Sequence, residues 1–100
     1  MSTERRKLPL LSQEEIGEGL AQLSGWRLEG KALVSDYAFP SFMKAMEFVN
    51  GVAQEADGID HHPDMTIRYT RVTLSLWTHD SGGVTRRDFR LASAIDGLKL

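Results

Sequence analysis

The chain has 100 residues, of which 41% are hydrophobic, and its formal net charge is −2 at pH 7. That length suits one domain with one core, and the charge excludes the strongly basic surface of a nucleic-acid-binding protein. Cysteine is absent, which excludes disulfides and thiolate metal sites and fits a reducing compartment.

No continuous apolar stretch comes near the length of a membrane-spanning helix, which is about 18 residues. The first residues, MSTERRKLPL, are polar and lack the apolar stretch of a secretory signal. We therefore expect a cytoplasmic protein that binds neither membranes nor nucleic acid. Its first part, residues 1–9, is expected to be a flexible tail, and residues 10–100 are expected to form a single domain.

A first helix is predicted in the segment LSQEEIGEGLAQL, residues 11–23. Ser12 and Glu15 have the spacing of a capping box, in which each side chain binds the backbone of the other residue. Gly17 and Gly19 each weaken a helix by about 1 kcal/mol relative to alanine. The helix therefore depends on tertiary packing.

The segment GWRLEGKALVSDYAF, residues 25–39, predicts a β-hairpin. Gly30 lies between the two strands and supplies the turn. In the second strand Leu33 and Tyr37 share one side, and Val34 lies on the other, as expected for a strand with period two.

A long helix is predicted in PSFMKAMEFVNGVAQEADG, residues 40–58, because apolar residues recur at every third or fourth position for four turns. Ser41 is the expected N-cap and Gly58 the expected end of the helix. Met43 and Phe48 lie off the main apolar stripe. Such residues belong either to the core or to an interface between copies of the chain.

Two more strands are predicted over residues 65–69 and 72–79, joined by a tight connection at Thr70-Arg71. The second strand, VTLSLWTH, alternates cleanly between an apolar and a more polar face. We expect the apolar face to lie under the helices. The other face, which ends at His79, is then open to solvent, a ligand or a partner.

The chain closes with a helix in TRRDFRLASAIDGLKL, residues 85–100, capped by Thr85 with Asp88 three residues later. The order of elements is thus α-β-β-α-β-β-α, with two hairpin-like strand pairs. This order predicts an α+β fold with a four-stranded antiparallel sheet and three helices packed on one face.

The three histidines of the chain lie at the two ends of the second hairpin. His61 and His62 precede the first strand, and His79 ends the second. Because a hairpin returns the chain to its starting point, His79 is predicted to lie close to the other two. Pro63 favours an extended backbone at His62, so the side chains of His61 and His62 are expected to point apart.

Clustered imidazoles can give or take protons near neutral pH, because their ordinary pKa is about 6.5. Asp57, Asp60 and Asp80 are close enough along the chain to fix a tautomer or stabilise an imidazolium. Two alternatives remain at this point. The histidines can be ordinary surface groups, or three of them can bind zinc and leave one position open, although the HExxH pattern is missing.

A set of motifs with fixed spacing surrounds these histidines. They are His61-His62-Pro63, Tyr69, Val72, Thr78-His79 and Arg87-Asp88, with Gly25-Trp26, Phe39 and Phe42 upstream. In these motifs the chain resembles the pterin-4a-carbinolamine dehydratases over about residues 10 to 98. It departs from some relatives at Met65, where they have tryptophan, and at Thr70, where they have asparagine.

The resemblance implies a four-stranded antiparallel sheet with three helices on one side. It also implies an activity, the loss of water from a 4a-hydroxytetrahydropterin to give the quinonoid dihydropterin, which aromatic amino acid hydroxylases reuse after its reduction. No metal or other cofactor is implied. The expected partners are the pterin substrate and further copies of the chain in a homodimer or homotetramer.

The resemblance assigns His61, His62 and His79 as catalytic imidazoles. It implies substrate contacts for a second set of residues: Asp57, Asp60, Trp26, Thr78, Arg87 and Asp88. For several of these the alternatives stay open. Asp57 and Asp60 either orient an imidazole or bind the amino-pyrimidine edge of the pterin. Trp26 either stacks on the pterin or packs in the core. Asp88 also fits a capping box.

The family also includes proteins that act as binding modules, among them a dimerisation cofactor of a transcription factor. The alternative function for this chain is therefore a non-catalytic module that stabilises a partner protein. Three histidines with acids beside them favour the enzyme, since a module that only assembles a partner has no need of them.

Overall fold

Seven elements follow one another in the predicted order in a computed structural model that describes residues 7–98. They are α1 Gln13–Leu20, β1 Arg27–Glu29, β2 Ala32–Ala38, α2 Phe42–Ile59, β3 Asp64–Arg68, β4 Arg71–Leu76 and α3 Arg86–Asp96. Of the predicted tail over residues 1–9, only residues 7–9 are described, and there the Ser81 hydroxyl donates to the Leu8 carbonyl over 2.6 Å. No helix within the described residues is long and apolar enough to cross a membrane.

The four strands form one antiparallel sheet in the order β1-β2-β4-β3. Each hairpin pairs its own strands, and β2 and β4 join the two hairpins, with Leu33 opposite Leu76 and Tyr37 opposite Val72. The prediction of an α+β fold with a four-stranded antiparallel sheet and three helices is confirmed.

The two faces of β4 differ as predicted. Val72, Leu74 and Leu76 are fully buried, whereas Thr73 and Ser75 between them are partly exposed. The buried face packs against α2 and α3 in a core that includes Ala45, Phe48, Val52, Ala56, Leu91, Ala92 and Ile95. Burial of each large apolar side chain contributes about 1.5–3 kcal/mol. This apolar layer holds the end of β4, and the histidine that follows it, against the helices.

The three predicted N-caps are present. Ser12 and Glu15 form a capping box at the start of α1. Thr85 and Asp88 form a second one at the start of α3, and the Ser41 hydroxyl accepts a backbone N–H in the first turn of α2. Each cap stabilises its helix by about 1 kcal/mol, because it satisfies an N–H group that has no partner inside the helix.

The end of α2 differs from the prediction. The helix continues through Gly58 to Ile59, and Asp60 takes the left-handed conformation with φ 58°. The N–H of Asp60 donates to the carbonyl of Asp57, and the N–H of His61 donates to the carbonyl of Ala56. These two bonds form a Schellman motif, which aspartate can close because its short polar side chain tolerates this conformation. The motif fixes His61 directly to the end of the helix.

Phe48 belongs to the core and not to an interface. It is 5% exposed, and its ring lies 4.5 Å from that of Tyr37 and 5.1 Å from that of Phe39, measured between ring centroids. Tyr37 in β2 and Phe39 just after it therefore cover a wider face of α2 than the main apolar stripe indicates. By contrast, Met43 and Phe42 are 67% and 52% exposed, although Phe42 lies on the stripe.

The second hairpin turns one residue earlier than predicted, at Tyr69-Thr70, where Tyr69 has φ 56°. Its second strand ends at Leu76, short of the predicted end at His79. Beyond Leu76, Thr78 forms an isolated bridge with Gly83, which closes a tight loop. The loop forms because the carbonyl of Thr78 accepts the N–H groups of residues 81–83, which lie on the other side of the loop.

The open face of the sheet carries a small polar network. The Thr73 hydroxyl donates to Asp36 over 2.6 Å, and a guanidinium nitrogen of Arg27 lies 3.0 Å from the same carboxylate. The hydrogen bond from Thr73, supported by Arg27, lowers the pKa of Asp36 below its ordinary value. Burial raises the pKa of Tyr37 on the opposite face. The network ties β1, β2 and β4 together on the side away from the helices.

The two glycines of α1 are predicted to respond oppositely to alanine. A Cβ at Gly17 meets nothing within 4 Å, whereas a Cβ at Gly19 lies 2.5 Å from Cε1 of Phe89. Gly17→Ala should raise the free energy of unfolding by about 1 kcal/mol, the gain in helix propensity. Gly19→Ala should lower it, because the Phe89 ring must move within the core. Urea denaturation of both variants tests this, and stabilisation by Gly19→Ala would contradict it.

Candidate active site

A hollow of about 230 Å³ opens where three parts of the chain meet: the turn after α2, the end of β4 and the start of α3. Its lining consists of Asp60, His61, His62, Trp77, Thr78, His79, Asp80 and Arg87. The hairpin of β3 and β4 thus brings the three histidines of the chain around one cavity. Among residues 7–98, no three His, Asp or Glu side chains are arranged to hold a metal ion.

His61 is held by a buried carboxylate. Its side chain is 10% exposed, and its Nε2 lies 2.6 Å from Oδ1 of Asp88, which is fully buried. An ionised carboxylate only accepts hydrogen bonds, so Nε2 of His61 must carry a proton. The neutral ring therefore has its lone pair at Nδ1. This contact fixes both the tautomer and the orientation of the imidazole.

The other oxygen of Asp88 is also fully engaged. Oδ2 accepts the Thr78 hydroxyl and the backbone N–H of Thr85, each over 2.9 Å. The Thr78 and Thr85 hydroxyls lie 2.8 Å apart. Because Thr78 gives its only hydroxyl proton to Asp88, Thr85 must be the donor between the two threonines. The α3 capping box therefore also serves as the support of His61.

His62 lies in a different environment from its neighbour. Its side chain is 60% exposed, and its Nε2 lies 3.5 Å from Oδ1 of Asp57, which is itself 86% exposed. The extended backbone before Pro63 sends the two adjacent side chains to different partners, one inside the protein and one at the surface. An exposed pair at this distance is weak, so Asp57 holds the His62 ring only loosely.

His79 is also exposed and is supported by an aromatic ring. Its centroid lies 4.0 Å from that of Trp77, with an angle of 35° between the planes. The ammonium of Lys31 lies 5.9 Å from the Trp77 ring. The partly exposed indole therefore contributes an apolar wall to a hollow that is otherwise polar.

This geometry agrees with a family comparison. The family model described as pterin 4 alpha carbinolamine dehydratase matches residues 9–98. The chain belongs to this family. A protein of Chloroflexus aurantiacus with the provisional name pterin-4-alpha-carbinolamine dehydratase is 49% identical over 89 residues, which cover 89% of this chain and 96% of the relative. A Thermomicrobium roseum protein with the same provisional name is 50% identical over 85 residues, which cover 85% and 91% of the two chains.

The chain is also similar to several solved structures, among them the following two. A transcriptional coactivator/pterin dehydratase from Brucella melitensis is 35% identical with a TM-score of 0.80, and the match covers 88% of this chain and 99% of that one. A pterin dehydratase-like protein identified as a RuBisCO assembly factor in the alpha-carboxysome is 24% identical with a TM-score of 0.61, over 73% and 87% of the two chains. The second similarity shows the shared fold alone.

Not all residues that the dehydratase resemblance assigns to substrate line the hollow. Trp26 is 7% exposed, lies in the core and donates from Nε1 to Asp96 over 2.9 Å, so of its two open roles the structure favours core packing over stacking on the pterin. Asp57 lies beside His62 but outside the cavity lining. Asp88 lies behind His61 without exposed surface, and the hydroxyl of Thr78 is directed to it.

Two residues of the site are not among those that the sequence assigned to it. Trp77 lines the hollow, and Thr85 completes the network around Asp88. Strand alternation carried a signal for Trp77, since it lies two positions before His79 on the open face. Thr85 was identified only as a helix cap, because its second contact, with Thr78, crosses the loop that follows β4.

Asp88→Asn is predicted to reverse the tautomer of His61. The asparagine carbonyl should accept from Thr78 and Thr85, which directs the amide NH₂ group at Nε2 of His61 and forces the ring proton to Nδ1. Nitrogen-15 NMR of the histidine rings distinguishes the two tautomers. Asp57→Asn is the matched control and should leave the His61 signals in place. A His61 that keeps its proton on Nε2 in Asp88→Asn would contradict this.

Proposed function

We propose that the chain catalyses the dehydration of a 4a-hydroxytetrahydropterin, such as 4a-hydroxytetrahydrobiopterin, to the quinonoid dihydropterin. The observation that carries the proposal is the arrangement of three imidazoles around one hollow, one of them oriented by a buried carboxylate. Membership in the dehydratase family supports the same reaction class. We further propose that it acts in the cytoplasm, where it serves tetrahydropterin recycling.

The reaction suits acid–base catalysis. The bond between C4a and the hydroxyl oxygen breaks, the proton on N5 is removed, and a double bond forms between C4a and N5. One protein group protonates the departing oxygen, which leaves as water, and another accepts the N5 proton. The lone pair of N5 supplies the electrons for the new double bond, so the step needs neither an oxidant nor a reductant.

We assign the base role to His61. Its Nε2–H donates to Asp88, so the ring can accept a proton only at Nδ1, and the carboxylate then stabilises the imidazolium that forms. His62 and His79 are exposed and line the same hollow, which suits them to protonate the departing hydroxyl. Such proton transfers each contribute about 10²–10⁴-fold to a rate.

The remaining polar lining fits the pterin ring. Asp60 and Asp80 present carboxylates that can accept from the amino group and N3–H of the pyrimidine, and Arg87 can donate to its carbonyl. Trp77 offers an aromatic face for the bicyclic ring. Asp88 and Thr78 act in this proposal as positioning residues for His61 and not as substrate contacts.

A second candidate function is assembly of a partner protein without catalysis. The observation that favours it is exposed apolar surface at the start of α2, where Phe42 and Met43 are 52% and 67% exposed. Apolar surface of this kind is often buried by association. The expected homodimer or homotetramer would bury it equally well, so this surface does not distinguish the two functions.

Turnover of freshly generated 4a-hydroxytetrahydrobiopterin, followed by ultraviolet absorbance, tests the proposed reaction. The wild-type protein should accelerate dehydration above the buffer rate. His62→Ala and His79→Ala should each lower kcat/KM by about 100-fold, because each removes a proton-transfer group. Both side chains are exposed, so the variants should keep the circular dichroism spectrum of the wild type.

Glu47→Ala is the matched control, since Glu47 is exposed on α2 and lies outside the cavity lining. Its kcat/KM should equal that of the wild type. A wild-type protein that is no faster than buffer would reject the enzyme and favour the assembly function. Equal activity of both histidine variants and the wild type would reject the assigned catalytic groups.

The reaction is predicted to survive chelation. Dialysis against a chelator should leave kcat and KM unchanged, because the N5 lone pair and the imidazoles supply every electron and proton that moves. Elemental analysis before and after dialysis, together with the turnover assay, checks this result. Loss of activity that zinc restores would show instead that the histidines act as metal ligands.

A further inference from the structure

A second hollow lies beside the first, on the other side of His62. It measures about 390 Å³ and is formed between α2 and the start of β3. Its lining consists of Ala53, Gln54, Ala56, Asp57, His62, Pro63 and Met65. His62 is the residue that the two hollows share, so a ligand can cover this imidazole and occupy both.

The size of the first hollow indicates that a substrate extends beyond it. Small-molecule sites usually measure about 300–1,000 Å³. The hollow with the three histidines measures only about 230 Å³, and the second, about 390 Å³, adjoins it at a proposed catalytic residue. A substrate that reacts at the histidines therefore has room to continue past His62.

The chemistry of the two linings differs in a way that orients the substrate. The first hollow carries charged groups, among them Asp60, Asp80 and Arg87, which suit the polar pyrimidine edge. The walls of the second are mainly alanine, proline and methionine side chains, with Gln54 and Asp57 as polar groups. The C6 carbon of a tetrahydropterin is bonded to N5, two bonds from the reacting C4a. Its substituent thus leaves the ring close to the reacting atom and on the side away from the pyrimidine.

We propose that the hollow between α2 and β3 binds the C6 substituent of the pterin. The carbon chain of the substituent lies against Ala53 and Met65, and its hydroxyl groups hydrogen-bond to Gln54 and Asp57. This inference rests on the proposed dehydratase function and adds a determinant of its specificity.

The test fills the second hollow without changing the first. Ala53 is exposed on α2, so Ala53→Leu is compatible with the helix and inserts a larger side chain into the hollow. KM and kcat are measured for two substrates, the 4a-hydroxy derivatives of tetrahydrobiopterin and of 6-methyltetrahydropterin. The KM ratio is the KM of the tetrahydrobiopterin derivative divided by that of the 6-methyl derivative. It should rise about 10-fold in Ala53→Leu, because the longer side chain no longer fits the apolar pocket. The kcat values should change much less, because the proton-transfer groups stay in place.

Glu47→Leu is the matched control, because it adds the same side chain to α2 at an exposed position outside both hollows. Its KM ratio should equal that of the wild type. Gln54→Ala is a second variant, which should raise the KM ratio by removing a hydrogen bond to the side chain of biopterin. It tests the same contact without adding volume.

The outcomes separate this proposal from the function on which it rests. If wild type turns over both substrates and neither Ala53→Leu nor Gln54→Ala changes the KM ratio, the C6 assignment is overturned and the dehydratase stands. A proportional rise of both KM values in Ala53→Leu also overturns it, because the hollow would then bind a part common to both substrates. If the wild type turns over neither substrate, both proposals are overturned.

Discussion

The buried carboxylate of Asp88 is the group on which the candidate site depends. An ionised group with no contact to water is costly unless its oxygens are satisfied by donors. Here one oxygen accepts from the ring of His61, and the other accepts from the Thr78 hydroxyl and the Thr85 N–H. These donors come from the turn after α2, the loop that follows β4 and the N-cap of α3. One side chain therefore joins the three parts of the chain that form the hollow.

This arrangement separates the histidines into two kinds. His61 is oriented from inside the protein, while His62 and His79 face solvent and hold their positions through an exposed aspartate and an indole ring. A fixed imidazole supplies a proton site of defined geometry, whereas an exposed imidazole can regain a proton from water between turnovers. The proposed reaction needs both properties, because it moves one proton from the ring and delivers another to a leaving oxygen.

Local signals explain what the sequence could predict. The caps at Ser12, Ser41 and Thr85 depend on residues within one turn of each helix, and the alternation in β4 depends only on period two. Together with the element order they are sufficient for the α+β fold, and the return of the hairpin is sufficient to bring His79 to the other histidines.

The misses involve contacts between residues far apart in the chain. Trp26 suits either a stacking surface or a core, and its burial and its hydrogen bond to Asp96, 70 residues away, favour the core. Asp88 has the spacing of a cap, but its bond to His61 spans 27 residues and has no sequence motif. The end of α2 was misplaced because glycine is the usual residue in the left-handed position, and here an aspartate takes it. The second hollow lies between α2 and the start of β3, a placement that no sequence pattern indicates.

The Schellman motif at Asp60 leaves no connecting loop between α2 and the site. His61 begins where the helix ends, and Asp57 is still inside it. Inserting or deleting one residue within this helix would rotate its last turn by about 100° relative to the sheet. Residues 60–63 connect α2 to β3, and three of them line the hollow, so this segment cannot absorb the rotation without moving the site. At Gly30, by contrast, the hairpin tip has open space around it and can lengthen at little expense. We therefore expect the length of α2 to be far less free to vary than that of the first hairpin.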